Sequence, residues 1–160
     1  MTAHETAAED VAAILSTQGD IASLLGGMPF FNALQVEIVS VEPGSVTLEA
    51  PLTPAFEAPP GAFAASSVGA LGDMAAMTSV SSALPRGSAM STMDFTVKML
   101  GLSRGSRLRA VGRVLQTGKT TCVGAADVFV LDRGAATLCG TVLATGRRLD
   151  LAMLTAGSRR

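Results

Sequence analysis

The sequence predicts an α+β fold: one long central helix wrapped by a curved antiparallel sheet of five to six strands, behind an N-terminal helical extension. Two observations carry this. The first is order: two alternating segments, one long segment of small apolar residues, then four more alternating segments. The second is that the long segment has no polar face. A helix built from it must be enclosed by protein, and a curved sheet can do that.

The elements follow in sequence. Thr6 to Thr17 is rich in Ala and Leu, carries Glu9 and Asp10 early, and stops at Gln18-Gly19, which predicts a helix. Asp20 is placed to cap a short second helix through Leu25, ended by Gly26-Gly27. Met28 to Leu34 is an apolar connector. Gln35 to Glu42 alternates, Pro43-Gly44 turns, and Ser45 to Pro51 alternates again with Val46, Leu48 and Ala50 inward: a hairpin. After a Pro-rich loop, Ala64 to Leu84 reads as the long helix, broken by Pro85 and Gly87. Ser88 to Leu100 is a strand with Met93, Phe95, Val97 and Met99 on one face and Thr92, Asp94, Thr96 and Lys98 on the other. Ser106 to Gln116, with Arg107, Arg109 and Arg113 on one side, Thr120 to Leu131, and Ala136 to Thr145 complete the strands, separated by turns at Thr117-Gly118-Lys119 and Asp132-Arg133-Gly134. The organisation expected is an extension over residues 1–27, one domain over 28–148, and a flexible tail over 149–160, loose from Arg147 onward.

Composition removes several function classes. The 160 residues suit one domain with a sizeable core. The net charge of −1 is scattered without a basic stripe, and Trp and Tyr are absent, so no nucleic-acid partner is expected. Charged residues make up only 16%, which predicts surface hidden in an oligomer, and edge strands of such a sheet invite pairing with a second copy: a homodimer, with a dimer of dimers left open, is expected. The N-terminal stretch has no basic region followed by an apolar core. The one long apolar run, residues 58–85, is interrupted by Asp73, Ser and Gly, so no membrane partner and a cytoplasmic location are expected. Cys122 and Cys139 read as buried, reduced thiols. With His4 as the single histidine, no closed metal site and no cofactor are expected.

Asp73 is the only charged residue between Ala58 and Pro85. An ionised carboxylate is costly to bury, so it pairs, protonates or performs chemistry. A structural role, satisfied by hydroxyls or backbone N–H groups, stays open beside a functional one.

In this order the motifs resemble the hotdog-fold acyl-CoA thioesterases, in particular the phenylacetate-degradation type, over roughly Pro29 to Arg147. The residues are Pro29-Phe30-Phe31, Glu42-Pro43-Gly44, then Pro59, Gly61 and Leu71-Gly72-Asp73 in the register of the helix signature. Ala110-Val111-Gly112-Arg113-Val114 and Ala144-Thr145-Gly146 follow. Ala58 stands where that family has Asn, and Ala64, Ala65 and Ser66 stand where it has His-Gly-Gly.

The resemblance implies hydrolysis of an acyl- or arylacyl-coenzyme A thioester at a site between two subunits. Asp73 would be general base or nucleophile. The backbone N–H of Ala65 would polarise the thioester carbonyl, and Ser91 would orient water. Ala58, Gly61, Phe63, Ala64, Ser66 and Met77 would line the substrate. Glu57 is a possible substitute for the missing Asn. Ser91 could equally bond locally within its strand. Arg133, Arg147 and Arg148 could meet coenzyme A phosphates or stay solvated. Asp94 is expected to be exposed or paired. The alternative from another class is a non-catalytic binder of acyl-CoA or another apolar ligand.

Overall fold

The computed structural model describes residues 21–85 and 88–150. The helix expected over Thr6 to Thr17, and His4, lie outside them. Two short helices open the described chain, α1 (Ile21–Gly26) and α2 (Pro29–Ala33). The second forms within the expected apolar connector. Pro29 starts it because its missing N–H costs nothing in a first helical turn. The hairpin β1 (Glu37–Glu42) and β2 (Ser45–Pro51) follows. A single 3₁₀ turn at Pro54–Phe56 leads to α3 (Ala65–Ala83). The chain then forms β3 (Ser88–Met99), β4 (Arg107–Thr117), β5 (Thr121–Asp132) and β6 (Ala135–Asp150).

The six strands form one sheet in the order β1-β2-β4-β5-β6-β3, antiparallel at every pairing. The helix α3 contacts all six strands, which is the expected wrapped helix. Val46, Leu48 and Ala50 point inward as the alternation required. They meet Val68, Leu71, Ala75, Ala76 and Val80 of α3, with Leu108, Val128 and Val142 from the later strands, all buried. Each such Val or Leu contributes about 1.5–3 kcal/mol of burial. Close approach is made possible at Gly112, where a Cβ would overlap the carbonyl oxygen of Ala75 and the Ser79 hydroxyl. The Ser79 Oγ is the hinge of this contact. It accepts from the Val46 N–H at 3.0 Å and donates to the Ala75 carbonyl at 2.7 Å.

Two expectations need correction. β6 does not end near Thr145 but runs to Asp150, so Arg147 and Arg148 belong to a strand, not to a loose tail. Arg147 pairs with Ser91 and Thr121, and the Arg148 Nε donates to the Ser88 Oγ at 3.1 Å. Cross-strand partners on both sides supplied the register that the tail's own composition does not announce. The second correction concerns β3, whose register shifts between Thr92 and Asp94. Met93 is therefore an extra residue, and the faces exchange there. Thr92 lies on the helix side together with Phe95 and Val97, not opposite them.

The arginines do share one side of β4. Arg107 and Arg109 grip Glu49, at 3.0 and 2.6 Å, and Arg107 also reaches Glu37 at 2.8 Å. Arg113 pairs with Asp127 at 3.0 Å. Cys122 and Cys139 are buried and free; Cys122 lies opposite Gly146 near the start of β5, whereas the Cys139 thiol lies against the Val128 carbonyl further along it.

Candidate active site

α3 is enclosed along most of its length but not all. Ser66, Ala70, Asp73, Met74 and Ser81 recur at helical spacing and stay partly or fully exposed. Asp73 sits in the middle of this stripe, next to β3. Its two carboxylate oxygens each lie 3.3 Å from the Thr92 hydroxyl. Both distances are long for an O–H···O bond, so one proton is shared between the oxygens and lone pairs remain free. Burial pushes the Asp73 carboxyl above the ordinary aspartate range, and the Thr92 hydroxyl offsets part of that rise. Such a carboxylate is a stronger base than a solvated one.

Two turns earlier, α3 begins with Ala64 as its N-cap in extended conformation. The N–H groups of Ser67 and Val68 are already taken by the Ala64 carbonyl. Among the described residues, the N–H groups of Ala65 and Ser66 have no acceptor, and both residues are exposed. These are the orphan donors of a helix start, with the positive end of its dipole behind them. The preceding loop is tight. The Ala58 N–H donates to the Ala62 carbonyl, and the Ala62 N–H to that of Pro59, both at 3.0 Å. Gly61 has φ +78°, a left-handed conformation that disfavours any side chain there.

The predicted site residues therefore fall into separate groups. Asp73 stands alone with Thr92. Ala64, Ala65 and Ser66 form the helix start, and Ala58 and Gly61 form the loop before it, all at least partly exposed. Phe63 is 3% exposed and packs in the core, tied by its N–H to the Ser103 carbonyl at 3.0 Å. It forms a bridge with Glu57 and lines a small cavity together with Phe56, Ser67 and Leu71. Met77 is likewise buried, with its Sδ beside Gly146 and the end of Met90. Ser91 is exposed and lies between Met90 and Thr92, which both face α3, so strand alternation turns it away from Asp73. Thr92 was missed as the partner of Asp73, since only the bulge at Met93 reveals it. Arg133 is exposed in the β5–β6 turn. Among the described residues no group of His, Cys, Asp and Glu could hold a metal ion.

This is a hotdog fold, and a half-buried carboxylate beside an edge strand is its candidate catalytic group. No family model matches the chain, and no curated protein matches it. Solved structures do. A thioesterase family protein from Silicibacter pomeroyi is similar at TM-score 0.78 and 25% identity, over 81% of this chain and 96% of that one. A phenylacetic acid degradation-related protein from Ralstonia eutropha JMP134 aligns at TM-score 0.67 and 23% identity, over 79% and 98%. A thioesterase from Haemophilus influenzae aligns at TM-score 0.67 and 18% identity, over 75% and 82%. The resemblance read from the sequence is thus met in three dimensions: the structural neighbours are thioesterase-superfamily proteins, the phenylacetate-degradation type among them.

Proposed function

We propose that this chain is a thioester hydrolase acting on an acyl- or arylacyl-coenzyme A, with Asp73 as general base or nucleophile. The observation that carries the reading is Asp73 itself: a carboxylate kept half-buried, raised in basicity, and only loosely held by Thr92. Among the described residues Thr92 is its one hydrogen-bonding side chain, which leaves acceptor capacity for a water or a substrate.

Two routes suit it. Asp73 takes a proton from a water that attacks the thioester carbonyl, or attacks the carbonyl itself to give a mixed anhydride that water then opens. In both, the thiolate of coenzyme A leaves and the developing oxyanion needs donors. The free N–H groups of Ala65 and Ser66 suit that task. They lie about two turns of helix, ~10–12 Å, from Asp73 along the same α3. A second copy brings its own helix start to Asp73. β3 is a sheet edge with Met93, Phe95 and Met99 exposed, features that favour pairing with such a copy into a homodimer. The substrate brings coenzyme A with it, so no resident cofactor is required. No described helix is long and apolar enough to cross a membrane. The two unpaired thiols fit a reducing, cytoplasmic compartment.

A non-catalytic binder of acyl-CoA or another apolar ligand is the second reading. It is favoured by Ala58 and Ala64, whose methyl groups offer no polar atom at the loop and helix start. The test is a panel of aliphatic and aromatic acyl-CoA thioesters incubated with the purified protein. Free thiol is followed with a chromogenic disulfide, and binding by calorimetry. Thiol release above the rate without protein supports the hydrolase. Binding without release supports the binder.

A further inference from the structure

The start of α3 is built without a capping side chain. Ala64 is its N-cap and carries no polar side-chain atom. A Ser, Thr, Asp or Asn in that place would bond an N–H group of the first turn and so occupy a donor. Ala64 leaves the N–H groups of Ala65 and Ser66 open, but it also deprives the helix start of its usual local anchor. The direction in which those two groups point must be fixed from elsewhere.

Two holders lie outside the helix. The first is the Phe56 carbonyl, which accepts from the Ala64 N–H at 2.9 Å and more loosely from the Ser67 hydroxyl at 3.3 Å. The second is Ser103, in the loop between β3 and β4. Its hydroxyl donates to the Phe63 carbonyl at 2.7 Å, and its own carbonyl accepts from the Phe63 N–H at 3.0 Å. One residue thus takes both backbone polar groups of Phe63, and a β-bridge between Ala62 and Arg104 runs beside it. Ser103 is 4% exposed, so little water competes for its hydroxyl. The Phe63 carbonyl and the Ala64 N–H belong to one peptide plane. Ser103 pins one side of that plane and Phe56 pins the other. Only the two backbone dihedrals of Ala64 separate it from the next plane, which carries the Ala65 N–H.

We infer that Ser103 is a positioning residue for the open N–H groups of Ala65 and Ser66. Their use as oxyanion donors rests on the hydrolase reading above. Ser103 acts through the Phe63–Ala64 peptide plane and not on the reacting atoms. Without its hydroxyl the Phe63 carbonyl is left unsatisfied in a buried place, and the plane is free to tilt toward another donor. The Ala65 N–H tilts with it. Oxyanion donors are effective about 2.7–3.1 Å from the developing charge, so a small misplacement removes much of their effect. The ground-state carbonyl depends on them less than the transition state does. The loss therefore falls on kcat and spares KM.

Steady-state kinetics of full-length Ser103→Ala on an acyl-CoA that the wild type cleaves tests this, with Ser103→Thr and Ser79→Ala measured alongside. Ser103→Ala is expected to lower kcat by about 10- to 100-fold with KM unchanged. The acid limb of its pH–rate profile stays in place, because Asp73 is untouched. Ser103→Thr keeps the hydroxyl and is expected to recover most of the rate. Ser79→Ala removes a buried hydroxyl from the body of the same helix, and is expected to cost stability and leave kcat intact. Amide hydrogen exchange reads the clamp without any substrate. The Phe63 and Ala64 N–H groups are expected to exchange about 2- to 10-fold faster in Ser103→Ala, the worth of one hydrogen bond. A wild type that cleaves no thioester removes the hydrolase reading, and the exchange rates then decide on Ser103. An unchanged kcat in folded Ser103→Ala, an equal loss of kcat in Ser79→Ala, or exchange at the wild-type rate overturns the inference.

Discussion

Thr92 and Phe95 lie on the same side of β3 although they are three positions apart. In a regular strand they would face opposite ways. The register shift at Met93 reverses the alternation, so the Thr92 hydroxyl reaches Asp73 while the Phe95 ring packs against Gly69 of the same helix. The bulge converts a polar outer face into a single polar contact on the inner one.

Thr92→Val keeps the shape and removes the proton donor. The Thr92 bond lowers the Asp73 carboxyl against the rise from burial, so its loss lets the carboxyl rise further. Thioester hydrolysis by the variant should fall by ~3- to 10-fold at neutral pH, the worth of one hydrogen bond. The acid limb of its pH–rate profile should move to higher pH. A limb that stays in place would remove Thr92 from the site.

Asp73 also leaves a mark on stability. Its folded carboxyl is raised, so the native chain binds its proton more tightly than the unfolded chain does. Stability associated with this group is therefore full below the unfolded aspartate value and declines as pH rises through the folded one. Asp73→Asn removes that decline. Its melting temperature should match the wild type in acid and exceed it above the carboxylate range, as differential scanning calorimetry across pH would show. A gap that closes as pH rises would mean the carboxylate is stabilised by folding instead.

Gly112→Ala places a methyl group onto the Ala75 carbonyl oxygen and the Ser79 hydroxyl. Neither is the end of a flexible chain, so α3 must lift from the sheet. Urea unfolding should show a loss of ~3 kcal/mol.

Ser79→Ala strips the Val46 N–H of its acceptor in a buried place. A buried unsatisfied donor costs about 1–3 kcal/mol, and the same denaturation experiment reads it. An unchanged midpoint would show that this hydroxyl does not anchor the helix to β2.

Most of the architecture was legible because burial on one face writes itself into alternation. Val46, Leu48 and Ala50 announced β2, and the unpolarised run from Ala65 to Ala83 announced an enclosed helix. Boundaries fell within one or two residues for α3 and for β1 to β5. β6 was read short because Gly146-Arg147-Arg148 carries tail-like composition, and only pairing with β3 and β5 makes it a strand. Asp73 stood out as a lone charge in apolar sequence. Thr92 did not, since a bulge leaves alternation intact on each side and merely changes its phase. Phe63 and Met77 suggested a ligand pocket, but apolar side chains line cores and pockets alike, and both are buried in this protomer, Phe63 beside a small cavity.

The most direct test is turnover by Asp73→Asn on whichever acyl-CoA the wild type cleaves, with the mass of the assembly measured alongside. The rate is expected to fall by roughly 10²- to 10⁴-fold with the assembly unchanged, the loss that removal of a general base brings. A fully active, correctly assembled Asp73→Asn protein would contradict it.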